Sequence, residues 1–499
     1  MGDLVLAVDQ GTSATKCLLV DARGAVVAKA VVALGEHYPK PGWVEQDAEA
    51  IWRSVQQAVQ QCLAARPDDR VIAVGLSTQR ESAMVWRRAD GAPVTPLLSW
   101  QDQRTVALRD RLQGEAGVAA AVRERSGLPL DPMFSALKLG WLLDQVDPQR
   151  TQSAAGALCA GTVDAFLLAR LGAGHVIEVG NASRTQLFNV HDFGWDDELL
   201  RLFRVPRAAM PRVVPSLGRC ADAGRLHASL QGVPVQAVMA DSHAALFAHG
   251  VYAPGRVKAT LGTGSSVMGL FDGTGVPHPG LCLTVAWDSG SGPVRALEGN
   301  IRAAGSTLRW VAELFGLDSA SAAELAARSD SAGVCLVPAF GGLGAPWWDA
   351  DATGLLSGLT LGTGKGALLA AAVESIAHQV ADVMDAMDAS VPGIDRLLLD
   401  GGPSRNPHLL DLLSAAIARP VVHCTDPELS ALGVAHLAGL GVGLWDWQAL
   451  HALPRAQHQT CSTRPVASMH AARGRWAHAV RQSRLRSSPP AISSTRETP

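Results

Sequence analysis

The hydrophobic pattern of the chain alternates between short apolar runs and longer amphipathic segments. Residues 4–8 and 17–20 are apolar and are bounded by Gly and polar residues, and residues 4–34 as a whole predict a three-strand meander. Residues 47–65 then carry apolar side chains on one helical face, which predicts a helix with Asp47 as its N-cap. Because strand-type runs continue to alternate with helical ones, the pattern indicates an α/β architecture.

Two of the later apolar runs end in charged side chains. Residues 71–76 lead to Arg80 and Glu81, and residues 233–240 lead directly to Asp241 at the start of a helical segment. In α/β sheets, ligands bind at the carboxyl ends of the strands. We therefore expect these side chains to line a site, although an aspartate in this position also serves as an ordinary helix N-cap.

The turn after the first apolar run has the residue types that hold phosphate. Gly11 lets backbone N–H groups approach an anion closely, and hydroxyl and ammonium groups follow at Thr12, Ser13 and Lys16. Asp9, which ends the run, is suited to hold a metal ion against the phosphates. A hairpin turn without a ligand explains the same residues, so both interpretations stay open on this segment alone.

The second half of the chain repeats this pattern of a strand followed by a turn of phosphate-binding residue types. Residues 256–270 predict a strand, a turn rich in Gly, Thr and Ser that contains Gly262 and Thr263, and a second strand. Residues 397–406 predict a buried strand that runs into a Gly-Gly turn before a helix, a setting that suits a phosphate or a nucleoside. Two such openings half a chain apart predict two related lobes that face one nucleotide.

These segments resemble the motifs of the FGGY carbohydrate kinases, members of the actin-like ATPase superfamily, and the resemblance covers almost the whole chain. The two family signatures correspond to residues 133–145 and 354–374. Further matching stretches are G-W-V-E-Q-D at 42–47, S-T-Q-R-E-S at 77–82, G-T-V-D at 161–164, N-A-S-R-T at 181–185 and G-L-G-A-P-W-W-D at 342–349. The resemblance implies an α/β fold of two actin-like, ribonuclease H-like lobes, with nucleotide and substrate in a cleft that closes between them.

The resemblance also implies a division of the chain. Residues 1–250 correspond to the N-terminal lobe that binds the acceptor, and residues 251–450 to the C-terminal lobe that binds the nucleotide. Residues 451–499 are expected to add a last helix at 473–486 and a basic, Ser/Pro-rich, disordered tail. Such a basic stretch could contact nucleic acid, but it is more often a solvated face.

The family implies roles for individual positions of this chain, with ATP and Mg²⁺ as cofactors. Asp241 matches the base that takes the proton of the acceptor hydroxyl, and Asp9 and Asp241 match the carboxylates near the metal. The positions that match nucleotide-binding residues are Thr12, Ser13, Lys16, Gly262, Thr263, Gly305, Gly402 and Asn406. The positions that match acceptor-binding residues are Arg80, Glu81, Trp100, Met133, Asp241, Ser242 and Ser266.

Three acceptor positions depart from the glycerol-specific members, which have Tyr, Gln and Phe where this chain has Met133, Ser242 and Ser266. The changes enlarge and repolarise the pocket, so glycerol cannot be assumed as the acceptor. The expected activity is ATP-dependent phosphorylation of a terminal hydroxyl of glycerol or a related small polyol or sugar. The alternatives are a kinase for a larger acceptor, such as a pentulose or tetritol, and a non-catalytic, actin-like nucleotide-binding regulator.

The composition of the chain limits the kinds of partner that we expect the protein to bind. A chain of 499 residues that is 47% hydrophobic and 18% charged, with a formal charge of -3, gives no general attraction for nucleic acid or an anionic membrane. Eight scattered cysteines without a C-x-x-C pair predict small buried side chains and no zinc site. No apolar stretch of membrane-spanning length and no signal-like N-terminus are expected, so we predict a cytoplasmic protein. We also predict a homodimer or homotetramer whose ligands are small molecules.

Overall fold

The computed structural model describes residues 2–426 and 428–485. Its first half is built on a six-stranded sheet, which in spatial order contains Leu217–Asp222, Pro234–Ala240, Arg70–Thr78, Asp3–Gln10, Ala14–Asp21 and Val26–Ala33. The three strands that open the chain are antiparallel neighbours, so the predicted meander is confirmed. The strands Asp3–Gln10, Arg70–Thr78 and Pro234–Ala240 are parallel, so their carboxyl ends lie at one edge of the sheet.

The second half is built on a seven-stranded sheet. In spatial order it contains Cys282–Asp288, Pro293–Ile301, Ser265–Phe271, Arg256–Leu261, Arg396–Gly401, Val421–Cys424 and Gln457–Thr460. Arg256–Leu261 pairs antiparallel with the strand after it and parallel with Arg396–Gly401, as Asp3–Gln10 does with its own two neighbours. The two halves therefore open in the same way, as the repeated turn chemistry predicted. Gln457–Thr460 belongs to this sheet, although we expected only a helix and a tail after residue 450.

Smaller sheets and helices surround these two. A four-stranded sheet contains Glu45–Gln46, Leu97–Leu98, Ala83–Arg87 and Leu158–Thr162, and two-stranded pairs join Phe188–Asn189 to Gly194–Trp195, Val176–Glu178 to Arg212–Val214, and Cys335–Val337 to Leu355–Ser357. The helices before residue 250 are Ala48–Ala64, Val106–Gly114, Val118–Ser126, Ser135–Val146, Thr151–Ala154, Val163–Leu171, Val179–Ser183, Asp197–Leu202 and Asp241–Ala248. Those after it are Gly305–Leu314, Ser319–Ala327, Lys365–Ser390, Pro407–Ile417, Leu429–Gly441, Trp447–Ala452 and Val466–Ser483.

The predicted helix at 47–65 is confirmed as Ala48–Ala64, and the Asp47 carboxylate caps it by accepting from the Glu49 N–H at 2.8 Å. The last helix begins earlier than expected, at Val466, because Pro465 precedes it and Trp476 is buried on its inner face. Two arginines of its basic stretch pair with carboxylates of the second half, Arg473 with Asp382 and Arg484 with Asp349. Part of the basic charge is thus compensated within the fold, while Arg486 and the predicted disordered tail at 487–499 lie outside the described residues.

One expectation about apolar stretches is wrong. The helix Lys365–Ser390 is long and apolar enough to cross a membrane by length and composition, but 78% of its most apolar window is buried inside the protein. It forms the centre of the largest apolar core, together with the sheet strands of the second half. Five of the eight cysteines are buried as expected, whereas Cys461 is exposed, and all eight are free thiols.

Two buried histidines predict a loss of stability in mild acid. Burial lowers the pKa of His378 and of His436 to about 3, so the folded state stays unprotonated where the unfolded chain, with a pKa near 6.5, binds protons. Stability is therefore lost as the pH falls below 6.5, by about 1.4 kcal/mol per histidine between pH 7.5 and 5.5. Urea unfolding at these two pH values should show the difference, and the His378→Gln/His436→Gln double variant should lose about 3 kcal/mol less of its stability over this range. An identical pH dependence in the variant would rule this origin out.

Candidate active site

Carboxylates converge where the parallel strands of the first sheet end. Asp9 is the register partner of Ser77 on the neighbouring strand, and Ser77 is the partner of Met239, two residues before Asp241. The Ser77 hydroxyl donates to Asp9 Oδ1 at 2.9 Å. Burial raises the pKa of Asp9 to about 6, Lys16 opposes this rise, and the nearby Asp241 carboxylate adds to it. Two of the predicted site residues thus lie at one edge of the sheet.

Asp241 is the first residue of the helix Asp241–Ala248 and keeps about a third of its side chain exposed (34%). Its Oδ1 accepts from the Ser242 N–H at 2.6 Å and lies 3.3 Å from Arg80 Nε. Burial raises the pKa of Asp241, against the opposing charge of Arg80. The N-cap position belongs to Ala240, so the N-cap alternative does not describe this side chain.

Close packing from the second half fixes this helix. The helix Leu429–Gly441 lies against it so tightly that a Cβ on Gly433 would come 1.7 Å from the Ala244 carbonyl oxygen. The same helix approaches the first sheet at Gly75, where a Cβ would lie 2.5 Å from the Val434 carbonyl oxygen. Backbone atoms leave no room for relaxation at these distances, so the position of Asp241 depends on contact between the two halves.

A buried carboxylate that we did not predict, Glu298, organises the arginines next to Asp241. Its oxygens bind Arg80 Nη1 and Nη2 at 2.9 and 3.0 Å, and Arg184 Nη1 lies 2.8 Å away. The Ser266 hydroxyl and the Asn300 amide donate to Glu298 Oε1 at 2.6 and 3.0 Å. We call these five residues the Glu298 cluster. Although burial opposes it, the two arginines hold the pKa of Glu298 well below its usual range.

The Glu298 cluster changes the expected role of Arg80. The family resemblance implied that Arg80 binds the acceptor, but both of its terminal nitrogens are occupied by Glu298, and only Nε faces Asp241. Glu81 has a left-handed backbone, with φ 62°, and its Oε1 accepts from Arg184 Nε at 2.7 Å. Arg80 and Glu81 are both buried. Glu298 could have been found as a charged residue within an apolar strand, since such a residue is rarely buried without partners.

The other acceptor positions have the following surroundings. Trp100 is half-buried, and its indole N–H donates to Thr12 Oγ1 at 3.0 Å, which links it to the predicted phosphate turn. Met133 packs beside the apolar cluster that contains Phe134, and Trp348 packs against the same cluster. Ser266 faces Glu298, as described above, so its hydroxyl is already committed within the protein.

The first predicted phosphate turn is held by its own neighbours. Asp9 and Lys16 are cross-strand partners, and Lys16 Nζ also lies 2.8 Å from Glu428 of the second half. Burial lowers the pKa of Lys16, but the Glu428 and Asp9 carboxylates outweigh this and raise it above its ordinary value. The Gln46 side chain donates to the Thr12 carbonyl at 2.7 Å, and Ser13 is exposed. Lys16 is thus a cation at an edge between the two halves.

The remaining nucleotide positions meet at the carboxyl edge of the second sheet. The Gly305 N–H donates to the Gly262 carbonyl at 2.9 Å, and Thr263 O accepts from the Ala304 N–H at 2.8 Å. A Cβ on Gly305 would come 2.6 Å from Gly262 O, so this contact requires a glycine. Asn406 caps the helix Pro407–Ile417 by accepting from the His408 N–H at 3.0 Å. The side-chain amide oxygen of Asn406 therefore has a structural role whether or not a nucleotide is bound.

Gly402 provides a test of nucleotide contact that does not disturb the fold. A Cβ added there meets no atom within 4 Å, and its φ is not positive. We expect Gly402→Ala to fold normally but to raise the KM for ATP at least about fivefold, because the methyl group would contact a nucleotide bound at this turn. The control is Gly401→Ala, where φ is 92° and a Cβ would lie 2.0 Å from Leu261 O, so folding itself should fail. A Gly402→Ala protein with an unchanged KM would remove Gly402 from the nucleotide site.

Lys258 is a buried cation that we did not predict, and it faces the site from the second sheet. Its Nζ donates to Thr260 Oγ1 at 3.0 Å, and Thr260 donates to Asp400 Oδ2 at 3.1 Å. Burial lowers the pKa of Lys258. The positive charge of Lys258 opposes the rise that burial causes in the pKa of Asp241. Lys258 could have been found from the sequence, because it is a lysine in the middle of an apolar strand.

The donor set at the first sheet edge fits Mg²⁺. The part of the chain that the structure describes contains no group of three or more His, Cys, Asp or Glu side chains able to hold a metal ion. Mg²⁺ bound to a nucleotide requires only one or two carboxylates, because phosphate and water oxygens supply the rest. Asp9 is buried with a raised pKa and a single neutral hydroxyl donor, a setting in which a cation would stabilise its charge.

The chain matches one family of known proteins over most of its length. The FGGY family of carbohydrate kinases matches the chain with its N-terminal domain over residues 4–248 and with its C-terminal domain over residues 257–442. The chain therefore belongs to the FGGY family. It is an ATP-dependent sugar or polyol kinase, and its cofactors are ATP and Mg²⁺.

Individual relatives carry different names. The apulose kinase of Pectobacterium atrosepticum is 41% identical over 500 residues, which cover 97% of this chain and 99% of that protein. The glycerol kinase of a Geobacter species (strain M21) is 42% identical over 465 residues, which cover 90% of this chain and 92% of that protein. The structure of Plasmodium falciparum glycerol kinase with ADP superposes with a TM-score of 0.88 at 24% identity and covers 97% of this chain and 99% of that one. This last likeness establishes the two-lobed α/β fold.

Proposed function

We propose that this kinase transfers the γ-phosphoryl group of ATP to a terminal hydroxyl of glycerol or of a related small polyol or sugar. The observation that carries the proposal is the position of Asp241. It is a partly exposed carboxylate of raised pKa, next to Arg80 and at the sheet edge that also holds Asp9. A carboxylate of this kind is suited to general-base chemistry, since its affinity for a proton is greater than that of a solvated aspartate.

In the proposed reaction, Asp241 accepts a hydrogen bond from the terminal hydroxyl of the acceptor and takes its proton. The acceptor oxygen then forms a bond to the γ-phosphorus as the bond from this phosphorus to the β-bridging oxygen breaks, and ADP leaves with that oxygen. Arg80, fixed by Glu298, holds Asp241 in orientation through its Nε. Lys16 and the Thr12 turn bind phosphate oxygens, for which Lys16 exchanges its contact with Glu428. Asp9 and Asp241 would hold Mg²⁺, which would neutralise the phosphate charge when bound.

A larger acceptor is the second candidate, and Met133, Ser242 and Ser266 favour it. The Ser266 hydroxyl donates to Glu298 and lies in a place where a phenyl ring would fill volume, which leaves room for further carbon atoms of an acceptor. Met133 offers an apolar contact and no hydroxyl. The apulose kinase and glycerol kinase relatives are equally similar in identity, so apulose, pentuloses and tetritols stay candidates beside glycerol.

The experiment that tests the function is ADP release with Mg-ATP across glycerol, erythritol, apulose, xylulose, ribulose and their reduced polyols, compared by kcat/KM. A lead of at least about tenfold for a larger acceptor would support the second candidate, and a lead for glycerol the first. ATP binding without phosphoryl transfer to any acceptor would favour the non-catalytic regulator. Within our proposal the protein is cytoplasmic and forms a homodimer or homotetramer, for which sedimentation velocity is the direct measurement.

Substitutions of Ser266 distinguish the effect of pocket volume from that of hydrogen bonding when they are measured on these acceptors. Ser266→Phe should lower kcat/KM for the larger acceptors at least about tenfold more than for glycerol, because the ring occupies the space of the additional carbon atoms. Ser266→Ala is the matched control, since it removes the hydroxyl but keeps the volume open. Equal losses on all acceptors with Ser266→Phe would show that this position does not select the acceptor.

A further inference from the structure

A second cavity lies away from the cleft and is strongly basic. It has a volume of about 130 Å³ and is lined by Arg256, Arg396 and Arg455 together with His249 and His451. None of the lining residues is a carboxylate. A cavity of this size holds a single phosphate-sized group, and three guanidinium groups around it favour an anion.

The charges at this cavity are incompletely compensated. Arg256 and Arg396 are register partners at the start of adjacent parallel strands, so two like charges lie side by side. Arg396 pairs with Asp395 at 2.9 Å, whereas Arg256 has no ion pair with any residue that the structure describes. Neighbouring cations with only one counter-charge repel each other, and a bound anion would relieve this repulsion.

Arg455 is fixed in place by neutral acceptors only. Its five N–H groups donate to the carbonyl oxygens of Ala248 at 2.9 Å, Leu450 at 3.0 Å, Leu453 at 3.2 Å and His451 at 3.3 Å, and to the Tyr252 hydroxyl at 3.3 Å. All of its donors are thus in use, so Arg455 acts on an anion in the cavity through its charge. The turn at Gly250 is shaped around it, since φ is 74° and a Cβ there would lie 2.8 Å from the guanidinium carbon. The guanidinium is therefore oriented without losing its net charge, as in a preorganised anion site.

His249 supplies an independent sign of a ligand. It is 2% exposed, and its Nε2 is 2.8 Å from Asp400 Oδ2. Its Nδ1 is buried and has no hydrogen-bond partner among the described residues. A buried polar atom without a partner is uncommon in native proteins, and here the side chain lines the cavity, so a hydroxyl or protonated oxygen of a ligand would satisfy it.

The arginine end of the cavity is remote from the nucleotide and acceptor site, whereas His249 contacts Asp400, two residues before Gly402. Arg256 and Arg396 begin their strands, while Gly262, Thr263 and Gly402 follow the carboxyl ends of the same strands, about 17 Å away along a six-residue strand. The segment 249–256 lies between the two matched family domains, and His451 and Arg455 lie beyond the second one. The cavity therefore uses residues outside the parts of the chain that match the family.

We propose that this cavity binds a phosphate dianion, either inorganic phosphate or the phosphoryl group of a small phosphomonoester. The uncompensated charges of Arg256 and Arg455 match the two negative charges of the group, and His249 Nδ1 accepts a hydrogen bond from its protonated oxygen or from an attached hydroxyl. This site is separate from the reaction and does not depend on the proposed acceptor.

Isothermal titration with inorganic phosphate tests the site in the full-length protein. Saturating Mg²⁺ and a non-hydrolysable ATP analogue fill the phosphate positions in the cleft, and the ionic strength is held constant. We expect one phosphate per chain, and affinity at least about tenfold weaker in Arg256→Gln and in Arg396→Gln, since each removes a charged donor. The matched control is Arg70→Gln, because Arg70 begins the corresponding strand of the first sheet.

A parallel titration with glycerol 3-phosphate separates the two sources of the phosphoryl group. Binding of phosphate alone, or of both ligands, with the expected variant dependence supports a site for the free ion. Binding of glycerol 3-phosphate alone with the same dependence supports a site for a phosphomonoester. The proposal is overturned if neither ligand binds, or if Arg256→Gln and Arg396→Gln bind both ligands as tightly as wild type and Arg70→Gln do.

Discussion

Replacing Asp241 with Asn is expected to lower kcat by about 10²–10⁴-fold while leaving the affinity for ATP close to that of the wild type. The amide keeps the shape of the side chain but cannot take the proton of the acceptor hydroxyl. Because Asp241 is also proposed to contact Mg²⁺, binding is measured by titration with a non-hydrolysable ATP analogue at saturating Mg²⁺, and turnover by ADP release.

The control for the loss of one negative charge is Asp272→Asn. Asp272 is an exposed carboxylate that accepts hydrogen bonds from the Thr274 N–H and hydroxyl. Its replacement should leave kcat unchanged. Turnover within tenfold of wild type in Asp241→Asn would remove Asp241 as the base and leave Glu81 and Lys258, whose charges act on Asp241, as the groups to consider.

Replacing Glu298 with Gln is expected to cost about 3–5 kcal/mol of the free energy of unfolding, because two buried guanidinium groups lose the carboxylate that they share. Among the carboxylates that the structure describes, Arg184 then keeps only Glu81, and Arg80 keeps only Asp241 and Glu81. Arg80 and Arg184 are both buried, and each lies within 3 Å of Glu298. The same change should lower kcat/KM, since Arg80 loses the two bonds that orient it next to Asp241. Urea unfolding and steady-state kinetics measure the two effects.

The uncompensated charge can be separated from simple loss of packing by a double-mutant cycle. Adding Arg184→Met to Glu298→Gln should cost less stability than Arg184→Met costs in the wild type, because the pairing between Arg184 and Glu298 is already lost. Ser266→Ala is the mild control, as it removes only one donor from Glu298 and should cost about 1 kcal/mol. Strict additivity of the Glu298 and Arg184 changes would contradict the role of Glu298 as their shared counter-charge.

Local patterns predicted the parts of the fold that depend on neighbouring residues. The meander at the start of the chain and the Asp47-capped helix are confirmed, because alternation of apolar residues and a side-chain cap act within a few residues. The start of the last helix was misplaced, because its inner face is defined by Trp476 packing on residues far away in sequence. The apolar length of Lys365–Ser390 was missed because polar residues interrupt its pattern, although most of its most apolar window is buried.

The candidate site divides in the same way. Asp9, Arg80 and Asp241 could be proposed from the sequence because each follows a predicted strand, and parallel strands bring such ends together. Glu298, Arg184 and Lys258 could not be ranked beforehand, because their significance lies in contacts that span up to 218 residues of chain. The domain boundaries at 250 and 450 and the roles of the individual nucleotide residues stay predictions.

The sequence by itself determined the class of protein, since glycine-rich turns after strands and carboxylates at strand ends are local signals that chemistry constrains to a few residue types. Only the tertiary structure decided which of these side chains are available. It committed the fork of Arg80 and the hydroxyl of Ser266 to Glu298, paired Lys16 with Glu428, and left His249 Nδ1 without a partner among the residues that the structure describes. The physical reason is that the interactions of a charged group depend on what lies within about 4 Å of it, and that distance is fixed only when remote segments pack together.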